Sequence, residues 1–279
     1  MWKEKSDFVL TRKKGLFFAG ITAILLLAGV AGYLCLTPAP EGFPILEYHM
    51  VNARELGEER AYAVPPKEFC QQLDYLQEQG YTTITLLEFM KAKKGKLELP
   101  EKPIILTFDD GYEDNYTELL PILEERGMKA VVFMVTNSIG LEGYMTWEQL
   151  KDMQKRGIEI GSHTANHVPL TKLSKEEQAE EMLLSKLIME WNGMQTIYSF
   201  SYPNGAYDAD MREMLRQNEY LTAVTGDAGV NTFDTDPYLL QRVNIPRPTF
   251  GLQEFRFRLW KAELFAKLNL FQHKLRKDG

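Results

Sequence analysis

The stretch PIILTFDDGY, residues 103–112, sets a continuous apolar run directly before two carboxylates. A short apolar run bounded by turn residues is typical of a strand that is covered on both faces, so we predict a strand at Ile104–Phe108. The Asp-Gly pair at 110–111 then turns the chain, and a helical pattern follows at Glu113–Arg126. This order of strand, turn and helix favours a parallel α/β fold, with Asp109 and Asp110 at the end of a strand.

The same alternation continues along the chain. Seven more strands are predicted, at Pro44–Tyr48, Thr82–Thr85, Ala130–Val135, Ile158–Ser162, Ile197–Tyr202, Leu221–Thr225 and Val243–Ile245. Helical patterns lie between most of them, at Pro66–Gln79, at Ala209–Asn218 and after the capping boxes Thr146-x-x-Gln149 and Ser174-x-x-Glu177. Eight alternations favour a closed, distorted (β/α) barrel over an open doubly wound sheet. No Gly-x-Gly-x-x-Gly stands at a strand-to-helix turn, so dinucleotide binding has no support.

An uncharged N-terminal segment precedes this region. Residues 15–36 carry no charge, and a helix of that length spans about 33 Å, the thickness of a bilayer core. Three basic residues, Arg12, Lys13 and Lys14, precede the segment, and no basic residue follows until Arg54. We therefore predict a single-pass anchor in the cell membrane, with residues 1–14 in the cytoplasm and the rest outside. A cleaved signal peptide and a buried globular helix are the alternatives.

Composition limits the remaining classes. The chain has 279 residues, is 44% hydrophobic and 25% charged, and carries a net charge of −7, so bulk attraction to nucleic acid is not expected. The two cysteines, Cys35 and Cys70, do not report the compartment, because Cys35 lies in the apolar segment. Residues 37–43 form a Pro-rich linker, and no feature predicts an oligomeric state.

The C-terminal segment, residues 251–279, differs in character. From Leu252 onward it carries seven Lys or Arg against three Asp or Glu, and apolar residues recur every three or four positions. This pattern predicts an amphipathic helix. The favoured interpretation is a helix that packs on the barrel with a solvated basic face, and the alternative is a contact with anionic lipid or wall polymer.

Chemistry-bearing residues follow the predicted strands. His49, His163 and His167 stand just after a strand or in its following loop, and Asp109 and Asp110 come directly after another. In parallel α/β barrels the C-terminal ends of the strands share one face, and that face carries the site. We therefore expect these five residues to meet on one rim.

Their types indicate a metal centre, although each signal alone is weak. An isolated Asp-Asp-Gly is more often a solvated turn, and an isolated His-x-x-x-His is often two ordinary loop histidines. Here a fully apolar strand delivers the carboxylates, so one can bind a metal while the other stays free as a base. Two imidazoles and one carboxylate leave a fourth position for water, which is the catalytic type of zinc site.

Three motifs carry a family resemblance. Thr107–Tyr112 (TFDDGY) resembles the first motif of the NodB-like polysaccharide deacetylases, carbohydrate esterase family 4. His163–His167 (HTANH) resembles the second, and Phe200–Gly205 (FSYPNG) is similar to the third. The resemblance covers roughly residues 44–250, and the first two motifs in this order are highly specific. It implies a distorted barrel of the NodB type and a hydrolase that releases acetate from acetylated polysaccharide.

The resemblance also implies roles for individual residues. Asp109 is expected to be the catalytic base, and Asp110, His163 and His167 are expected to bind Zn²⁺ or another divalent transition metal. The backbone N–H of Tyr202 is expected to help hold the oxyanion.

The sequence departs from the family at the catalytic acid. Many members carry a late Leu-x-His that supplies it, but after His167 the only histidine is His273, in a basic tail. Pro44–His49 (PILEYH) and Phe69–Phe89 resemble the branch that acts on biofilm poly-N-acetylglucosamine, in which a histidine near the N-terminus replaces the late one. We therefore expect His49 to be the acid.

A second departure concerns the arginine that tunes the base in many third motifs. No arginine occurs between Arg156 and Arg212. Arg242, near a late strand, is a substitute, although a surface or core-rim salt bridge is the favoured interpretation of that residue.

The expected function is N-deacetylation of an extracellular poly-N-acetylglucosamine. The alternatives are a deacetylase of peptidoglycan or chitin oligomers and a catalytically silent glycan-binding protein. Candidates for stacking on sugar rings are Tyr112, Tyr116, Trp147 and Tyr202, of which one or two are expected to contact substrate.

Overall fold

The computed structural model describes residues 42–53 and 57–267, together with Thr22, Gly29 and Gly32. In this part of the chain the strands are β1 Ile45–Tyr48, β2 Thr82–Thr83, β3 Pro103–Phe108, β4 Val131–Met134, β5 Glu159–Ser162, β6 Ser199–Ser201, β7 Thr222–Ala228 and β8 Leu240–Asn244. The α-helices are α1 Pro66–Glu78, α2 Leu86–Lys93, α3 Leu120–Glu125, α4 Trp147–Lys155, α5 Lys175–Trp191, α6 Met211–Gln217 and α7 Leu252–Lys267. All eight predicted strands are present, with ends that differ by a few residues.

Seven parallel strands close into a barrel. Their order is β1-β8-β7-β6-β5-β4-β3, and β1 pairs with β3 to complete the ring. The barrel is distorted, because β5 and β6 share only the register pair Ser162 and Phe200, and the pairing of β7 with β8 is irregular between Val224 and Ala228. The predicted barrel is confirmed.

The eighth strand is the correction to that prediction. β2 is two residues long and pairs only with the start of β3, at Pro103 and Ile104. Ile45 of β1 pairs directly with Ile105 of β3, so these two strands occupy the neighbouring positions in the ring. β2 therefore lies outside the closed barrel.

Alternation along the strands separates two hydrophobic clusters. One fills the barrel and includes Ile45, Ile105 and Phe133, and the other, which includes Tyr48 and Phe108, lies between the strands and the helices. Successive strand residues point to opposite sides, which explains why β1 and β3 contribute to both. Phe133 is fully buried, so its truncation to alanine would cost about 3–5 kcal/mol.

Both predicted capping boxes open helices, at Thr146 before α4 and at Ser174 before α5. The predicted helix at 113–126 is a π-helical turn at Asn115–Leu119 followed by α3. Helix α2 was not predicted, although Thr85 and Glu88 form a third capping box at its start.

Two predictions concern the ends of the chain, and the structure describes only part of those segments. The predicted anchor, residues 15–36, lies outside the described residues except for three isolated positions, and within the described residues no helix is long and apolar enough to cross a membrane. The predicted C-terminal helix is present as α7, which buries Phe255, Leu259 and Ala262 and exposes Phe257 and Trp260. Residues 268–279 lie outside the described residues.

Candidate active site

The C-terminal ends of three barrel strands bring the predicted residues together. His49 follows β1, Asp109 and Asp110 follow β3, and His163 follows β5 and opens the loop that also carries His167. Because parallel strands end on the same side of the barrel, residues far apart in sequence meet there. The expected convergence on one rim is present in the structure.

Asp110, His163 and His167 form a cluster with the geometry of a metal site. Asp110 Oδ1 lies 3.6 Å from His163 Nε2 and 3.4 Å from His167 Nε2. Two ligand atoms that are each about 2.1 Å from a tetrahedral ion are about 3.4 Å apart, so one ion fits between the three side chains. One carboxylate and two imidazoles are ligands that Zn²⁺ accepts, and three of them leave a fourth position open.

Hydrogen bonding prepares His163 for this position. Its Nδ1–H donates to the backbone carbonyl of Ser201 at 2.8 Å, which leaves the Nε2 lone pair directed at Asp110. Burial lowers the pKa of His163 below its ordinary value, and this effect outweighs the opposing effect of the nearby carboxylates Asp109 and Asp110. The neutral ring is the form that binds a metal.

The loops at the site have unusual backbone conformations. Asp110, Thr164 and His167 all have left-handed φ values, of 74°, 67° and 55°. Such conformations are sparsely populated for residues other than glycine and are often found at functional sites. Gly111 also has a positive φ, of 78°, and a Cβ atom there would lie 1.9 Å from Met134 Sδ. The turn after β3 therefore requires glycine at this position.

Asp109 is buried beside the metal cluster and paired with Arg242. Arg242 Nη1 and Nη2 donate to the two carboxylate oxygens of Asp109 at 2.9 and 2.8 Å, and Ser201 Oγ donates to Oδ2 at 3.2 Å. Burial alone would raise the pKa of Asp109, but the charge of Arg242 and its hydrogen bonds to the carboxylate hold that pKa well below its usual range. Asp109 therefore stays ionised at neutral pH.

Arg242 contacts the predicted base, which the sequence analysis considered the less favoured of two interpretations. A salt bridge at the surface or core rim was the favoured interpretation, but the guanidinium is buried inside the barrel and bidentate to Asp109. Its Nε also donates to the Thr225 carbonyl at 3.0 Å, which fixes the plane of the fork. The signal in the sequence was the two-residue spacing from Leu240, a member of the cluster inside the barrel, which places Arg242 on the same inner face of β8.

His49 lies close to Asp109. Ligand atoms of Glu47, His49 and Asp109 all lie within 4.8 Å of one another, and Glu47 Oε1 lies 3.5 Å from Arg242 Nη2. Asn115 Nδ2 donates to the His49 carbonyl at 3.0 Å and ties the loop after β1 to the segment after β3. The structure thus places the predicted acid beside the predicted base, and its role in proton donation stays a prediction.

Tyr202 requires a correction. Its backbone N–H, expected to hold an oxyanion, donates to the Val224 carbonyl at 3.2 Å as part of the pairing between β6 and β7. Its side chain is fully buried, and the hydroxyl donates to the Tyr238 carbonyl at 3.2 Å. In this structure Tyr202 therefore offers neither a free amide donor nor an aromatic surface for a sugar.

The role of the other aromatic candidates in stacking on sugar rings stays a prediction. Tyr116 and Trp147 pack partly buried against the core, whereas Tyr112 stacks on Tyr144 with ring centroids 5.3 Å apart. Sequence reasoning missed Tyr62, which is 49% exposed and lies 4.9 Å from the ring of His49. No local pattern marks Tyr62, because its contact with His49 depends on how the loop after β1 folds.

Comparisons with known proteins agree with this architecture. The family model described as "Polysaccharide deacetylase" matches residues 96–223. A Bacillus subtilis (strain 168) protein named "Putative polysaccharide deacetylase YxkH" is 35% identical over 209 residues, which are 75% of this chain and 73% of that protein. A Staphylococcus epidermidis protein named "Poly-beta-1,6-N-acetyl-D-glucosamine N-deacetylase" is 26% identical over 204 residues, which are 68% of this chain and 70% of that protein.

A solved structure supports the same assignment. The structure described as "Streptococcus pyogenes deacetylase PplD in complex with acetate" aligns with a TM-score of 0.71 at 27% identity and covers 80% of this chain and 98% of that one. The similarity to the Bacillus subtilis protein extends over most of both chains. This chain therefore belongs to the polysaccharide deacetylase family.

Proposed function

We propose that this protein removes acetyl groups from N-acetylglucosamine residues of a poly-β-1,6-linked extracellular polysaccharide and releases acetate. The observation that carries the proposal is an ionised, arginine-paired Asp109 beside the cluster of Asp110, His163 and His167. A free base next to three metal ligands is the arrangement that metal-assisted hydrolysis of an amide needs. A silent glycan-binding protein would not need either feature.

Asp110, His163 and His167 would hold the metal, and Zn²⁺ suits this set of ligands, although other divalent transition metals bind it too. A metal held there would supply Lewis acidity, which would lower the pKa of a bound water and polarise the acetyl carbonyl. The cluster is suited to this task because His163 is buried and neutral while Asp110 provides one negative charge.

Asp109 accepts the proton of the attacking water. Its Oδ2 lies 3.8 Å from His163 Nε2, so the base stands next to the metal ligands without being part of their cluster. Arg242 holds both carboxylate oxygens, which fixes the direction of the base and keeps it ionised. A base that is already positioned and ionised is ready for each turnover.

His49 donates the proton to the leaving nitrogen. Amines leave poorly unless they are protonated, so the reaction needs a proton donor within reach of the leaving nitrogen. His49 is partly buried within the same cluster as Asp109 and Glu47. The departing glucosamine nitrogen becomes an amine that is mostly cationic at neutral pH, so the polymer gains positive charge.

The choice of polymer is supported by the relative in Staphylococcus epidermidis, whose name specifies poly-β-1,6-N-acetylglucosamine. The test is acetate release by the full chain from defined poly-β-1,6-N-acetylglucosamine, chitin and peptidoglycan oligomers, with Asp109→Asn as the inactive control. Release that is fastest on the β-1,6 oligomer supports the proposal. Faster release from peptidoglycan or chitin oligomers would reassign the substrate, and equal release by Asp109→Asn would remove the assigned base.

We further propose that the protein is held in the cell membrane by residues 15–36, with the barrel on the outer side. The uncharged segment and its basic flank support this location. An extracellular polymer is accessible to the barrel only if the barrel lies outside the membrane.

A further inference from the structure

The loop that carries both histidines contains two residues in an unfavourable backbone conformation. Thr164 and His167 adopt left-handed φ values of 67° and 55°, which are unfavourable for residues other than glycine. Two metal ligands, His163 and His167, stand at the ends of this five-residue segment. Their relative placement therefore depends on bonds from neighbouring parts of the fold.

The segment after β4 fixes the carbonyl groups of the loop. Thr136 N donates to the Thr164 carbonyl at 3.1 Å, and Asn137 N donates to the Ala165 carbonyl at 3.0 Å. Within the loop, the Thr164 N–H donates to Ser162 Oγ and the His167 N–H donates to Thr164 Oγ1, so the N–H groups of Ala165 and Asn166 need partners from elsewhere.

Glu181 of helix α5 provides that other side. Its Oε2 accepts the backbone N–H groups of Ala165 and Asn166, both at 3.0 Å, and its Oε1 accepts the side-chain amide of Asn166 at 2.5 Å. Successive backbone N–H groups that converge on one anionic oxygen form a favourable anion-binding arrangement. Hydrogen bonds to an ionised acceptor are roughly twice as strong as neutral ones.

Helix α5 holds this carboxylate in a fixed place. One turn after Glu181, Ser185 Oγ lies 2.5 Å from Ser162 Oγ at the end of β5, and the Ser185 carbonyl accepts from Thr136 Oγ1 at 3.3 Å. The helix is thus joined to the end of β5 and to the segment after β4. A carboxylate on such a support can impose a conformation on the loop.

We propose that Glu181 is a positioning residue that holds the loop so that His167 points at Asp110, and thereby sets the affinity of the site for its metal. This inference rests on the proposed metal centre. Glu181 acts through the backbone of Ala165 and Asn166, whose N–H groups donate to its carboxylate. The half-exposed His167 is the ligand that depends on the loop most, because His163 is also held by the Ser201 carbonyl.

The test is a titration of the purified, metal-stripped full chain with Co²⁺, read by its visible absorption bands, which report the number and geometry of the ligands. The variants are Glu181→Gln and Glu181→Ala, and the control is Glu180→Gln, which removes the same charge from an exposed position on the same helix. Glutamine keeps one oxygen for the backbone N–H groups but presents an NH₂ group to the amide of Asn166.

We expect the Co²⁺ affinity to fall about tenfold in Glu181→Gln and towards a hundredfold in Glu181→Ala, in line with supporting residues at other metal sites. The absorption bands of the Co²⁺-loaded Glu181 variants should also change, because the contribution of His167 weakens. Glu180→Gln should match the wild type, and chemical denaturation should show folded protein in all samples. Glu181→Gln, which retains most contacts, carries the test if Glu181→Ala does not fold.

Three results would overturn the inference in different ways. Wild-type affinity and spectra in both Glu181 variants would refute the positioning role and leave the metal centre standing. A wild-type chain that takes up no Co²⁺ would refute the metal centre itself, and the role of Glu181 with it. An equal loss of affinity in Glu180→Gln would show that helix charge, and not the loop contact, is responsible.

Discussion

Replacing Arg242 by methionine removes the partner of a buried carboxylate while roughly preserving side-chain volume. The side chains of Arg242 and Asp109 are 1% and 3% exposed, and their two direct bonds are 2.9 and 2.8 Å long. In the variant, Asp109 keeps the hydroxyl of Ser201 as an uncharged donor. Removing one partner of a buried ion pair typically costs about 3–5 kcal/mol, so we expect a loss of that size in the free energy of unfolding at neutral pH.

The pH dependence of this loss follows from the pKa of Asp109. In the wild type that pKa lies below its unfolded value, so the ionised group contributes stability above the unfolded pKa and loses it as pH falls through the folded one. Burial raises the pKa of Asp109 and the guanidinium of Arg242 lowers it, so the pKa rises when the guanidinium is removed. The loss in the free energy of unfolding caused by Arg242→Met should therefore be largest near neutral pH. It should shrink below about pH 4, where the carboxyl is protonated in the unfolded chain.

The assay is equilibrium chemical denaturation of the metal-free protein at several pH values. The matched control is the double variant Asp109→Asn/Arg242→Met, which removes both charges and should be less destabilised at neutral pH than Arg242→Met alone. A deficit below about 1 kcal/mol, which is typical of exposed pairs, would contradict the buried pairing. A deficit that does not change with pH would contradict the assigned pKa direction.

Three further predictions test the site and the anchor. His49→Ala should keep metal binding but lower the turnover number on the amide by roughly two to four orders of magnitude, and less on an activated O-acetyl ester; loss of the metal would make His49 a ligand instead. Tyr62→Leu should raise KM about three- to tenfold with little change in kcat, because a half-exposed ring beside His49 is lost; the exposed Trp191→Leu is the control, and an unchanged KM would exclude the contact. The full chain should stay in the membrane fraction after a high-salt wash, whereas a mature N-terminus after residue 36 would identify residues 15–36 as a cleaved signal.

Local signals made much of the site predictable. An apolar strand that runs directly into Asp109 and Asp110, and histidines that follow other strands, needed only the rule that parallel strands end on one side. The capping boxes at Thr146 and Ser174 likewise gave the starts of two helices from four residues each. These features depend on neighbours in the sequence or on the order of the strands.

Closure of the barrel explains what was not predicted. The partnership of Arg242 with Asp109 exists because β8 pairs with β1, which pairs with β3, and none of these contacts is visible from spacing. The hydrogen bond of the Tyr202 amide depends on the register between β6 and β7. The hold of Glu181 on the histidine loop depends on the rotation of α5 about its own axis. Local patterns therefore identified candidate residues, whereas the pairing of distant strands and the orientation of α5 determined what those residues contact.

Acetate release from poly-β-1,6-N-acetylglucosamine, measured with the full chain before and after removal of its metal, decides whether the cluster of Asp110, His163 and His167 acts as a catalytic metal centre. We expect the metal-free protein to be inactive, stoichiometric Zn²⁺ or Co²⁺ to restore release, and His163→Ala neither to retain metal nor to recover activity. Full activity in the metal-free protein, or restoration of His163→Ala by added metal, would contradict a mechanism built on Asp110, His163 and His167.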